Sequence, residues 1–208
     1  MQLKAHLSIP ESTKANLIII HENRGLDGHI RQVADRFAEQ GFAVAAPDYL
    51  SPAGGSSLDV DTNIAKIKDV SREQVTEITK YWMQALENIS KGHESSILGF
   101  CWGGGVVNHC ATQIPNLKKA VMFYGNAPDL SLVPNIKASL QLNYAENDDR
   151  INAERDEYLR SLEQGKIDFE FHVYKDAGHA FFNDTREDRY HKSSAELGFK
   201  RALEFLTR

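Results

Sequence analysis

Cysteine is scarce in this chain of 208 residues, which has only Cys101 and Cys110. On one expected helix the two stand about 13 Å apart along its axis at ~1.5 Å per residue, which excludes a disulfide between them. Such unpaired cysteine usage suits a reducing cytoplasm, the expected location. Positive charge is also short: 24 Lys and Arg against 29 Asp and Glu leave a formal net charge of −5, with no basic footprint for nucleic acid. Long apolar runs are missing too. Met1 to Lys14 holds no apolar signal core, and the longest run nearby, Leu17 to Ile20, falls far short of the ~20 residues of a spanning helix, so no membrane segment is expected. Metal chemistry lacks its ligands, because His21-Glu22 begins a His-Glu-x-x-His pattern that ends on Gly25. No metal is expected. What remains, 41% hydrophobic and 25% charged, is an ordinary globular composition of a length that fits one domain over 1–208.

The elements alternate. Leu3 to Ile9 alternates like a strand, and Asn16 to His21 reads as a short strand buried on both faces. The loop Glu22 to Gly28 leads into a helix whose apolar positions Ile30, Val33, Ala34, Phe37 and Ala38 recur until Gly41 closes it. Phe42 to Ala46 is a second buried strand, ended by Pro47-Asp48-Tyr49. Ser51 to Asp69 carries few strong apolar positions and is expected as a mobile loop over the sheet edge. Val70 to Ile89 regains helical spacing, a strand then runs into Ile97-Leu98-Gly99-Phe100-Cys101, and a helix follows. Lys119 to Tyr124, Ala138 to Tyr144 and Ile167 to Tyr174 read as strands, with helices over Ala153 to Gln164 and Ser193 to Leu206. This is the alternation of an α/β fold with a mostly parallel sheet and helices on both faces. Trp82, Phe42, Phe123, Phe171 and Phe205 fall at expected core positions, and Cys110 reads as a small core residue. His6, His29, His93, His109, His172 and His191 are scattered, as surface or structural histidines are.

Gly99-Phe100-Cys101-Trp102-Gly103 has the form of a nucleophile elbow carrying cysteine. Such an elbow is a sharp strand-to-helix turn, where side chains two residues before and after the nucleophile would collide. Gly99 and Gly103 remove them. The helix start also aims free N–H groups and its positive dipole end at the sulfur, which favours thiolate. In a parallel sheet, loops at the carboxyl ends of strands share one crevice. That convergence predicts that Glu22 lies against Cys101 and holds the resting thiol partly neutral. It also brings in Ala145 to Ile151 with a carboxylate, and Lys175 to Phe182 with His179. Nucleophile, acid, histidine is the chain order of α/β-hydrolases.

Gly99 to Gly104, His21-Glu22 and Ala177-Gly178-His179-Ala180-Phe181 together resemble the dienelactone hydrolase family over nearly the whole chain. The resemblance implies an α/β-hydrolase fold that opens small lactones without a cofactor. It implies a Cys101, His179 and Asp148 triad, with Glu22 contacting the thiol. Asp148 is chosen over Asp149 because the family pattern sets the acid three residues before Val or Ile, here Ile151. Two departures stand out: the chain is short around Ser51 to Asp69, and Asn183 occupies the place of an arginine that helps hold a substrate carboxylate. Trp102 and Asn23 are the expected backbone donors of an oxyanion hole. Arg24 and Arg150 are candidate partners for a substrate carboxylate, and Phe181 and Phe182 candidate pocket-lining residues.

The expected activity is thus thiol-dependent hydrolysis of small activated esters or enol lactones through a thioester. The expected partner is a small-molecule substrate, with no nucleic acid and no membrane. Two alternatives stand beside it: a general carboxylesterase or deacetylase of other small esters, and a noncatalytic, redox-sensing relative in which a low-pKa Cys101 is oxidised.

Overall fold

The computed structural model describes residues 2–90 and 92–208. Its seven strands are β1 (Ala5–Ser8), β2 (Ala15–Ile20), β3 (Phe42–Pro47), β4 (Ser95–Phe100), β5 (Lys119–Phe123), β6 (Ser139–Asn147) and β7 (Phe169–Gly178). They form one sheet in the order β1-β3-β2-β4-β5-β6-β7, in which β1 runs antiparallel to β3 and every other neighbouring pair is parallel. The helices are α1 (Gly28–Ala38), α2 (Val60–Ile67), α3 (Arg72–Ile89), α4 (Trp102–Gln113), α5 (Asp149–Gln164) and α6 (Lys192–Thr207). Among the described residues no helix is long and apolar enough to cross a membrane.

The central strands are apolar at consecutive positions because both faces are covered. Ile18 and Ile20 of β2 join the core under α3, α4 and α5, whereas Leu17 and Ile19 join the core under α1 and α6. From β2 the chain crosses to β3 on one side and then returns to β4 on the other. That reversal opens a crevice at the carboxyl ends of β2 and β4, the place where open α/β sheets bind ligands. Glu22 follows the first of these strands and Cys101 the second.

Three expectations are corrected. The 51–69 stretch is not a structureless loop: it holds a short 3-10 turn, Ser51–Ala53, and helix α2, capped by Asp59. The buried residues of α2 are Asn63 and Ile67, and its apolar positions Val60, Ile64 and Ile67 recur at helical spacing over only eight residues. Asn63 Nδ2 donates to the carbonyls of Arg24 and Ser57, while its Oδ1 accepts from Ser57 N–H. Phe171, expected in the core, is 46% exposed because β7 is an edge strand with one poorly covered face. Trp82 is only partly buried against the α3 side of the core.

Candidate active site

Cys101 caps the N-terminus of α4 at φ 55° and ψ −116°, backbone angles that side chains rarely adopt. The turn is that tight because two backbones pass through it. A methyl group on Gly103 would stand 2.5 Å from the carbonyl oxygen of Ile20, and one on Gly99 would stand 2.6 Å from the carbonyl carbon of Gly103. Only glycine fits at either place. Cys110, on the buried side of α4, is fully enclosed, and burial pushes its thiol up to about 11. The two cysteines are unpaired.

His179 follows β7 directly and Asp148 follows β6. His179 Nε2 lies 3.1 Å from Cys101 Sγ, and its Nδ1 lies 2.5 Å from Asp148 Oδ2. The other Asp148 oxygen accepts from Ile151 N–H at 3.4 Å, so this residue is both N-cap of α5 and partner of the imidazole. An N-cap points back toward the strand it leaves, whereas Asp149 already lies on the helix and is exposed. Burial pulls the His179 pKa down, but the hydrogen bonds and negative charges of Asp148 and Cys101 outweigh it and push the group up to about 9.

The third strand end carries Glu22, buried and 4% exposed. The loop is braced by the neighbouring His21, whose Nε2 accepts from Tyr49 N–H at 3.1 Å while Nδ1–H donates to the Glu22 carbonyl at 2.6 Å. Burial lowers the His21 pKa and keeps the ring neutral, and it stacks on Trp102 at 5.5 Å. Glu22 shares a cavity with Cys101, but its carboxylate does not bond the thiol as expected. Oε2 instead accepts from Asn183 Nδ2 at 2.9 Å and Oε1 from Tyr124 OH at 3.4 Å. Burial, then the charges of Glu22 and Cys101, push the Tyr124 phenol well above its usual range, so it stays protonated and donates.

The cavity encloses about 540 Å³. Asn23, Arg24, Cys101, Trp102, Arg150 and His179 line it together, as the convergence of strand ends predicts. Trp102 opens α4, so its N–H has no intrahelical acceptor. Arg24 Nε lies 3.9 Å from Asp27, and Arg150 Nη1 makes one long bond, 3.4 Å, to Asn126 Oδ1. Phe181 and Phe182 do not line this cavity. Ala180, at φ 66°, turns the chain inward, and Phe182 packs on Phe100 at 5.0 Å while Phe181 packs on Tyr174 at 4.8 Å. Sequence reasoning missed Ile64, Ile67 and Lys68 from the end of α2, and Arg186 and Arg189 beyond the histidine, all on the cavity wall. It also missed Tyr124 and the bond made by Asn183. The helical spacing of Val60, Ile64 and Ile67 was the one available signal; the others sit where no periodicity marks them.

The dienelactone hydrolase family model matches residues 3–208. A protein of Saccharolobus solfataricus named "Putative carboxymethylenebutenolidase" is 30% identical over 244 residues, covering 100% of this chain and 94% of its own. An Escherichia coli K12 protein of the same name is 32% identical over 206 residues, covering 91% of this chain and 75% of its own. Among solved structures, a "Putative Dienelactone Hydrolase" from Klebsiella pneumoniae superposes with a TM-score of 0.85 at 24% identity, with 100% of both chains covered.

Proposed function

The chain belongs to the dienelactone hydrolase family, and from that premise we propose that it hydrolyses small activated esters or enol lactones with Cys101 as nucleophile. The observation that carries this is the continuous line Cys101 Sγ, His179, Asp148, with separations of 3.1 and 2.5 Å. His179 Nε2, 3.1 Å from Cys101 Sγ, takes the thiol's proton as the sulfur attacks. Sulfur adds to the substrate carbonyl, and the oxyanion is met by the N–H groups of Trp102 and Asn23. The tetrahedral adduct collapses by breaking the C–O bond, and His179 gives its proton to the departing oxygen. A thioester remains. Water, losing a proton to the same imidazole, then breaks the C–S bond to release the acid and restore the thiol. Asp148 keeps Nδ1 protonated throughout, so that Nε2 faces the reaction.

Thiol chemistry limits the substrate. A tetrahedral adduct expels its better-stabilised anion, so a simple alkoxide loses to the thiolate while an enolate competes. Enol lactones and aryl esters are therefore expected as substrates, and simple alkyl esters are not. The reading needs no cofactor, and its partner is a small molecule. Mass spectrometry of the enzyme quenched during turnover tests it: an acyl adduct is expected on the peptide containing Cys101 and none on Cys101→Ala, which should fold but not turn over. Undiminished hydrolysis by Cys101→Ala would end this reading.

A further inference from the structure

A second cavity, of about 800 Å³, lies beyond the carboxyl end of β3, next to the candidate active site. The two share one wall residue, Arg24, whereas Cys101 and His179 line only the first. Part of the second lining is apolar: Leu26 from the loop after β2, Val60 at the start of α2 and Trp82 of α3. Leu58 lines it too and is 104% exposed, a large apolar side chain that the fold leaves wholly in water. Lys4 and Arg31 add two exposed cations, neither of them ion-paired among the described residues. The third cation is Arg24, whose Nε is buried without a hydrogen-bond partner and stands 3.9 Å from Asp27 Oδ2. Two carboxylates lie on the same wall, and both are engaged. Asp48 Oδ1 accepts from Leu50 N–H at 3.0 Å and Ser56 Oγ at 2.7 Å, and its Oδ2 accepts from Ser56 N–H at 2.7 Å. Asp27 Oδ1 accepts from Ile30 N–H at 3.1 Å as N-cap of α1. The charge left to meet a ligand is therefore positive, in a chain of net charge −5.

We propose that this cavity is a second binding site, for a small organic carboxylate. Its apolar body, an aromatic ring or a short alkyl chain, lies against Leu26, Val60 and Trp82, and its charged end meets Arg31 and Lys4. A bare inorganic anion would leave the apolar lining wet, and a neutral apolar molecule would leave the cations unanswered. A carboxylate on an apolar body satisfies both, and the flat guanidinium of Arg31 suits its two oxygens. The volume is that of a small-molecule site, apolar walls with a few placed polar groups. Leu58 gains an apolar partner when such a body is present, which gives its exposure a use. Binding there involves neither Cys101 nor hydrolysis, so the site stands apart from the reaction proposed above.

The test titrates the protein with phenylacetate and, separately, with its neutral counterpart phenylacetamide. Tryptophan fluorescence reads binding in Trp102→Phe, where Trp82 is the one tryptophan left; calorimetric titration of the wild-type chain makes the same comparisons if that variant does not fold. Phenylacetate should change Trp82 emission saturably, and phenylacetamide should bind about tenfold more weakly or worse, as loss of a charge-assisted contact requires. Lys4→Ala/Arg31→Ala removes two exposed side chains and should also weaken phenylacetate about tenfold. Leu58→Ser should weaken it by about threefold or more through lost apolar cover. Arg186→Ala/Arg189→Ala strips cations that line the first cavity and not the second, and should stay within about twofold of the parent. Three results overturn the site: no saturable response, equal binding of the amide, or a loss in Arg186→Ala/Arg189→Ala that matches the loss in Lys4→Ala/Arg31→Ala. The last would move the carboxylate into the active-site cavity.

Discussion

Asp148 and Asp149 are adjacent acids with unequal surroundings, and their difference is testable residue by residue. Asp148 sits 2.5 Å from His179 Nδ1 and is nearly buried, whereas Asp149 is exposed on the first turn of α5. Asp148→Asn should lower turnover by about 10²–10⁴, because an amide can stabilise the wrong imidazole tautomer, while Asp149→Asn should stay within a few-fold. Steady-state rates on one aryl ester rank the two; the opposite ranking would detach Asp148 from the triad. The same pair governs stability. The His179 pKa is raised from its ordinary 6.5 to about 9, so between these values the folded chain holds a proton that the unfolded chain has released. Stability is fully present below about pH 6.5 and is lost as pH rises toward 9. Melting temperatures measured across that window should fall in wild type and fall less in Asp148→Asn, since the Asp148 hydrogen bond is the leading cause of the raised value. Identical slopes would show that the window belongs to another group.

At the scale of elements, the site depends on α4 entering the sheet at contact distance from β2. Gly103→Ala would press a methyl group against the Ile20 carbonyl, backbone against which nothing can yield cheaply. A loss of about 1–3 kcal/mol or more is expected, read as a lower urea midpoint with unchanged slope, along with a loss of activity. An unchanged midpoint would mean that the elbow has room it does not show. The elements also differ in how far the sequence reveals them. β2, β3 and β4 read clearly because strands buried on both faces are apolar at successive positions, and α1 and α3 because one face of each meets a core. Helix α2 is harder to read, since its apolar positions Val60, Ile64 and Ile67 span only eight residues and Asn63 anchors it through three polar bonds.

Across the whole molecule, the grouping of Cys101, His179 and Asp148 was legible because all three lie at strand ends, where chain order and glycine spacing carry geometry. The cavity walls were not legible. Lys68, Arg186 and Arg189 come from segments whose approach is decided by tertiary packing alone, and Phe181 and Phe182 fall inward only because Ala180 turns at positive φ. One consequence is electrostatic: a chain of net charge −5 surrounds its thiol with Arg24, Lys68, Arg150, Arg186 and Arg189. Iodoacetate should therefore react with Cys101 faster, relative to iodoacetamide, than it does with free cysteine. The advantage should shrink as salt rises toward about 0.15 M, where screening acts over ~8 Å. A ratio insensitive to salt would mean that the arginines are neutralised in place.

The enclosure of Cys110 reaches further. A chain with one reachable sulfur and one sealed sulfur carries its own tally of intact molecules. A thiol-specific dye should bind one equivalent per folded chain and two once the fold opens, because Cys110 lies wholly within the core under α3, α4 and α5. The first equivalent counts competent sites in any preparation, and the rate at which the second appears reads how often the entire sheet comes apart.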